Sequence, residues 1–295
     1  MELGSIATAM VTPFDKDGKV DEGRLIALVN YLIQNGSDSI VVCGTTGEAP
    51  TLTDDEKERV IRLAVMAAGK RIPVIAGTGS NSTAATVGMT KRAEAAGADG
   101  IMLVAPYYNR PDQRGMLAHF KEAAASTKLP VMLYNVPGRT ASRLEPETVI
   151  ALSRVPNIRA VKEAGGDLGA MTRIIAGTER GFRLYSGDDG LTLPVLAIGG
   201  CGVVSVASHV AGPEMQRMIR AFRTGNAEEA ARLHAAVSLL TEALFSRPSP
   251  SPVKYALKLA GMDTGSVRLP ITSIDEEGAE IIGKAMGDFR AATGA

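Results

Sequence analysis

Eight short apolar runs, each followed by a longer stretch of helical periodicity, constrain this 295-residue chain more than any other feature. The runs fall at 6–10, 40–43, 74–76, 101–105, 131–134, 158–162, 182–185 and 203–206. After the first, Leu25, Ile26, Leu28, Val29, Leu32 and Ile33 recur at the three-and-four spacing of one buried helix face. After the second, Thr53-Asp54-Asp55-Glu56 has the composition of a capping box, and Val60, Ile61, Leu63 and Ala64 continue the apolar stripe. Pro73 and Pro130 stand just before runs, where a missing amide does least harm. Strands alternating with helices predict an α/β fold with a parallel sheet. Eight repeats in about 225 residues favour a closed (β/α)8 barrel over an open doubly wound sheet.

The pattern changes at about residue 226. From there to 295 no strand period appears, and 227–245, 252–259 and 276–291 read as helices. Arg247-Pro248-Ser249-Pro250-Ser251-Pro252 makes a stiff joint between the first two, because proline fixes the backbone and removes donors. The expected organisation is a barrel over 1–225 carrying the active site, with a helical extension over 226–295 packed upon it.

Composition excludes several classes of function. The 32 basic and 32 acidic residues balance, and no long basic run offers a footprint for nucleic acid or an anionic membrane. The residues at the start of the sequence lack the basic-then-apolar order of a signal peptide. The stretch 191–206 is broken by Pro194 and glycines and is shorter than a membrane span. A cytoplasmic location is expected. Cys43 and Cys201 form no C-x-x-C pair and no cluster with histidine, so we expect free thiols in a reducing compartment. His119, His209 and His234 share no ligand spacing and read as satisfied structural residues, leaving no metal site. Gly77-Thr78-Gly79-Ser80-Asn81-Ser82 lacks the third glycine of a dinucleotide loop, and no cofactor is expected.

Active sites of such barrels form at the C-terminal ends of the strands. Five of these ends are chemically loaded here. They are Gly44-Thr45-Thr46-Gly47-Glu48, Tyr107-Tyr108-Asn109-Arg110-Pro111, Tyr134-Asn135-Val136-Pro137-Gly138-Arg139-Thr140, Lys162-Glu163-Ala164 and Ser186-Gly187-Asp188-Asp189. Lys162 closes an apolar strand, where a lysine must find a partner or lose its charge. A neutral amine can form a Schiff base with a carbonyl substrate. An ion-paired or snorkelling lysine is the plain alternative. A strand-end tyrosine such as Tyr134 is most often a packed ring, and a Gly-Thr-Thr-Gly segment is a tight turn. Inward amides would also make that turn an anion site.

Taken together, the Gly-Thr-Thr-Gly-Glu, Tyr-Tyr-Asn-Arg-Pro, Tyr-Asn-Val-Pro-x-Arg-Thr and Lys-Glu-Ala motifs resemble, in order and spacing, those of the dihydrodipicolinate synthase family. That family lies among the pyruvate-dependent class I aldolases with N-acetylneuraminate lyase. The resemblance runs from Gly4-Ser5-Ile6 to Pro252-Val253-Lys254. It implies a lyase that condenses pyruvate with L-aspartate 4-semialdehyde, the first committed step of diaminopimelate and lysine biosynthesis, without an external cofactor. It implies that Lys162 forms the imine, that Tyr134 is the general acid/base, and that Thr45 and Tyr108 relay its protons. Thr46 would hold the pyruvate carboxylate and Arg139 the semialdehyde carboxylate, with weaker main-chain roles for Gly187 and Val204. Glu48 would bond the turn rather than react.

The resemblance also implies that Tyr108 reaches into a neighbouring subunit's site, hence a homo-oligomer, most often a tetramer built as a dimer of dimers. Lysine-inhibited members carry histidines where this chain has Asp54 and Lys57, and a glutamate where it has Ala85, so feedback inhibition by L-lysine is expected to be weak or absent. Ser249 stands where the family commonly has asparagine, which implies a local packing change. Two rival readings are a sister aldolase, such as N-acetylneuraminate lyase or a 2-keto-3-deoxy-sugar-acid aldolase, and a non-catalytic barrel that binds a keto acid. Thr45-Thr46 and Arg139 favour the synthase over the first. The second has no need for Lys162, Tyr134 and Thr45 together.

Overall fold

The computed structural model describes residues 3–294; Met1 and Glu2, within the segment read for a signal pattern, and Ala295 lie outside the described residues. Eight parallel strands close on themselves in sequence order. They are β1 (Ile6–Ala9), β2 (Ser39–Val42), β3 (Val74–Gly77), β4 (Gly100–Val104), β5 (Val131–Asn135), β6 (Ile158–Glu163), β7 (Arg183–Ser186) and β8 (Gly202–Ser205). The β1–β8 pairing, with Ala7 opposite Val204, shuts the barrel. Each predicted run matches one strand, with ends displaced by no more than one residue.

The strands read as unbroken apolar runs because both of their faces are buried. Side chains alternate across a strand. Ala7, Val41, Ile75, Met102, Met132, Ala160, Tyr185 and Val204 fill the barrel interior. Their neighbours Ile6, Ile40, Val74, Ile101, Leu133, Val161, Leu184 and Val203 face the surrounding helices. The same alternation turns Tyr134 and Lys162 inward at the end of the interior stack, and the two are direct partners in the β5–β6 register.

The helices are α1 (Glu22–Gln34), α2 (Asp54–Ala68), α3 (Thr83–Ala95), α4 (Gln113–Ala125), α5 (Pro137–Thr140), α6 (Pro146–Leu152), α7 (Leu168–Gly177), α8 (Thr192–Ala197), α9 (Ser208–Arg223), α10 (Ala227–Leu244), α11 (Ser251–Leu259) and α12 (Glu276–Thr293). In α1, Leu25, Leu28, Val29 and Leu32 are fully buried, whereas Ile26 and Ile33 lie on the flank and are only partly covered. The six therefore do not share one face equally. At α2 both bonds of the capping box form: Glu56 N–H donates to Thr53 Oγ1 (3.2 Å), and Thr53 N–H donates to Glu56 Oε2 (3.0 Å). After α9 the chain runs through α10, which packs on α9 and α12, and α11, which packs on α12.

Candidate active site

Lys162 and Tyr134 form the centre of the site. Lys162 is 6 % exposed, and its Nζ lies 4.2 Å from the centroid of the Tyr134 ring. Among the described residues no carboxylate pairs with this ammonium and no acceptor bonds it. The snorkelling and ion-paired alternatives therefore fail: the nitrogen stays inside, against an aromatic face. Position 187 shapes the lysine's stem. A Cβ there would stand 3.0 Å from Lys162 Cε and 2.6 Å from Ala164 Cβ, so only glycine lets β7 approach this closely.

Next to this pair opens a cavity of about 510 Å³, lined by Thr45, Tyr134, Val136 and Arg139. Tyr107 lines it too and is 39 % exposed. Thr46 is buried within its turn, Val204 lies in the barrel interior, and neither these nor Gly187 line the cavity. Tyr108 is 88 % exposed with φ +71° and does not line this chain's own cavity. The structure thus brings Lys162, Tyr134, Thr45 and Arg139 together and leaves Tyr108 apart.

The turn that carries Thr45 and Thr46 is tightly folded. Glu48 N–H donates to Thr45 O (3.0 Å), Ala49 N–H to Gly44 O (3.2 Å), and Thr12 Oγ1 to Gly47 O (2.6 Å). The amides of Thr45, Thr46 and Gly47 find no acceptor among the described residues. Free amides in a tight turn suit a carboxylate. Gly77, which ends β3, answers the same turn: a Cβ there would lie 2.4 Å from Cys43 O. The glycines of 77–82 thus serve close strand packing rather than a nucleotide phosphate.

Arg139 rides on α5, exposed at the cavity rim, and among the described residues no carboxylate pairs with it. Its loop is fixed from below. Asn135 Nδ2 donates to Leu144 O (3.2 Å) and to Glu163 Oε2 (2.8 Å), while Leu144 N–H donates to Asn135 Oδ1 (3.0 Å). Gly165 N–H donates to Glu163 Oε1 (2.7 Å). Burial raises the Glu163 carboxyl above the usual range despite these donors. Asn135 and Glu163 face away from the barrel interior and hold the two loops flanking Tyr134 and Lys162. Their role was not drawn from the motifs that contain them, yet two polar residues one step past an inward pair are the signal that could have shown it.

The charged residues near the far side of the cavity are Asp54 and Lys57, paired with each other at 3.2 Å, with Ala85 alongside. Among the described residues no group of three or more histidine, cysteine or carboxylate side chains could hold a metal ion. Cys43 and Cys201 are free, and burial pushes the Cys43 thiol up to about 12. Of the histidines only His209 is fully satisfied. Its Nε2 accepts from Val11 N–H (3.2 Å) and its Nδ1 donates to Val206 O (2.8 Å). His119 bonds Thr83 Oγ1 through Nδ1 but leaves Nε2 buried and unpaired, and His234 leaves Nδ1 unpaired. The expectation of three satisfied histidines therefore holds for one. Among the described residues no helix is long and apolar enough to cross a membrane.

Comparison with known proteins bears on the same geometry. The profile of the Dihydrodipicolinate synthetase family matches residues 2–287. The chain is 55% identical over 277 residues to the 4-hydroxy-tetrahydrodipicolinate synthase of Bacillus velezensis, covering 94% of this chain and 96% of that one. Its structure superposes on a dihydrodipicolinate synthase of Bacillus anthracis with a TM-score of 0.97 at 54% identity, over 97% of this chain and 98% of the other. It is similar also to the Cyanidioschyzon merolae enzyme crystallised with lysine bound, at a TM-score of 0.95 and 48% identity, over 99% and 98% of the two chains. Fold and sequence agree, and the chain belongs to the dihydrodipicolinate synthetase family.

Proposed function

We propose that this protein is a lyase that condenses pyruvate with L-aspartate 4-semialdehyde to give 4-hydroxy-tetrahydrodipicolinate, through an imine on Lys162. The observation that carries the reading is the inward, in-register pair of Lys162 and Tyr134, with the lysine buried and unpaired beside the cavity. The Lys162 amine attacks the keto carbon of pyruvate and water leaves, giving the imine. The imine draws electrons from the methyl group, which loses a proton to become an enamine. The enamine carbon adds to the semialdehyde carbonyl, whose oxygen takes up a proton. The amine of the semialdehyde then attacks the imine carbon, closes the ring and expels Lys162. One water is released overall, and no electrons are exchanged with a cofactor.

Tyr134 is the group placed to carry these protons, since its ring already touches the lysine nitrogen. Thr45 continues the path along the cavity wall. Thr46 and the free amides of its turn hold the pyruvate carboxylate, with the Gly187 and Val204 carbonyls as minor contacts. Arg139 presents its fork of donors to the semialdehyde carboxylate. Tyr108 has no place in its own cavity, which supports its service in a neighbouring subunit and hence a homo-oligomer, with a dimer of dimers as the proposed form. The reaction belongs to lysine and diaminopimelate biosynthesis, and a cytoplasmic site of action follows from that chemistry.

Purified protein should convert the two substrates to a product that drives NADPH oxidation by the reductase of the following step. Dependence on both substrates, lost in Lys162→Ala, is the expected result. Release of pyruvate from a 2-keto-3-deoxy-sugar acid or from N-acetylneuraminate, or condensation of pyruvate with another aldehyde, would instead reassign the chain to a sister aldolase.

A further inference from the structure

The turn that carries Thr45 and Thr46 is anchored to the far end of the sequence. Glu48, its last residue, adopts a left-handed backbone with φ +55°, unfavourable for a side chain with a Cβ. Its carboxylate is 2 % exposed and both oxygens are engaged. Oε1 lies 2.8 Å from Lys254 Nζ of α11, and Oε2 accepts the Arg268 N–H at 2.9 Å. Lys254 is as deeply buried, at 3 % side-chain exposure; its Nζ also donates to Ser266 O (2.7 Å) and sits 4.4 Å from the Phe14 ring centroid. Arg268 covers Phe14 as well, at 4.3 Å, and its guanidinium donates to Gly18 O, Thr51 O and both oxygens of Glu56. Every partner of the turn's carboxylate thus comes from the C-terminal helices and the segment that joins them.

A buried ion pair is a poor way to add stability. Desolvating two charges costs about as much as their attraction returns, and apolar residues of the same volume often do as well. What such a pair supplies is a fixed geometry. Here it fixes a strained residue two positions from Thr46, in the turn to which the proposed function assigns the keto-acid carboxylate. The turn's other tethers run from Thr12 to Gly47 O and through main-chain bonds of Glu48 with Thr45 and Thr51, and none of them engages the Glu48 carboxylate.

We infer that Lys254 is a positioning residue for the reaction: through the Glu48 carboxylate it holds the Thr45–Thr46 turn in the shape that binds the keto-acid carboxylate. The inference rests on the proposed function and names what the C-terminal helices contribute to it. Pyruvate binding should depend on Lys254, while semialdehyde binding, on the separate Arg139 loop, should not.

The test is pyruvate-dependent borohydride trapping on the full-length protein, with KM for each substrate, for Glu48→Gln, Lys254→Met and the double variant. Wild type should show saturable trapping. Lys254→Met, folded by circular dichroism, should need about tenfold or more pyruvate for half-saturation, with the KM for semialdehyde within about twofold. Glu48→Gln should shift the same parameter in the same direction, and the double variant should lose less than the product of the two single losses. Should Lys254→Met not fold, Glu48→Gln, which keeps the shape and one of the two acceptor oxygens, is judged by the same criterion. Unchanged half-saturation in the folded variants overturns the inference and leaves the proposed function standing. Equal shifts in both KM values that follow the loss of thermal stability also overturn it, because they mark a merely structural role. No trapping in wild type would remove the proposed function and this inference together.

Discussion

Lys162 and Tyr134 show how far a single residue's environment decides its chemistry. Among the described residues no carboxylate pairs with this buried lysine; its nitrogen lies against an aromatic face, and the Gly187 backbone confines its stem. Gly187→Ala should crowd that stem, lowering stability by about 1–3 kcal/mol as an overpacked site does, and slowing imine formation. Thermal unfolding and single-turnover trapping check both; a variant with wild-type trapping would show that the lysine tolerates displacement. Arg139→Ala should raise the KM for the semialdehyde by about ten- to a hundredfold, the usual worth of charged hydrogen bonds, and leave pyruvate trapping intact. Steady-state kinetics would contradict the assignment if pyruvate KM moved instead.

His209 gives the clearest pH behaviour. Burial pulls its imidazole from 6.5 down to about 4, and its two bonds fit the neutral ring with hydrogen on Nδ1. The unfolded chain takes up a proton near pH 6.5 and the folded one only near about 4. This residue's contribution to stability is therefore present above that window and declines as pH falls through it, by on the order of 3 kcal/mol. Asp189 and Glu163, raised by burial, act in the opposite sense: their contribution is fullest below their unfolded values and lost as pH rises through the folded ones. His209 ring resonances followed by NMR should stay flat from about pH 8 to 5. A midpoint near 6.5 would mean the ring is solvated.

At the scale of elements, the strands were legible because a doubly buried parallel strand leaves an unmistakable run of apolar residues. The α2 start was equally plain, since the capping box is local chemistry within four residues. Thr53→Ala should cost about 1 kcal/mol in urea unfolding, with no effect on either KM. Harder to see was what holds the loops. Nothing local marks Asn135 as the partner of Glu163 and Leu144. Arg139 was found only through its motif, because an arginine after a proline is usually solvated. Lys254 sat in view on a stripe with Val253, Ala256 and Leu257, all buried, and a charge on such a stripe is a signal. Its partner Glu48 lies more than two hundred residues away, a distance at which no periodicity helps.

At the scale of the whole molecule, Tyr108 is the residue that a single chain does not explain. Tyr108→Phe should lose most activity alone and regain part of it in mixed oligomers with Lys162→Ala, because each mixed dimer then holds one intact site. Full activity of Tyr108→Phe alone would count against the relay. The Asp54–Lys57 pair and Ala85 offer a different surface from the histidines and glutamate of lysine-inhibited relatives, so L-lysine should inhibit weakly or not at all. Inhibition comparable to that of lysine-sensitive enzymes would show that those side chains are dispensable.

The most direct test of the central claim is to reduce the protein with borohydride in the presence of pyruvate and locate the adduct by peptide mass spectrometry. One reduced pyruvyl group on Lys162, irreversible loss of activity, and no adduct in Lys162→Ala are expected. An adduct on another lysine, or activity that survives reduction with pyruvate present, would contradict that claim.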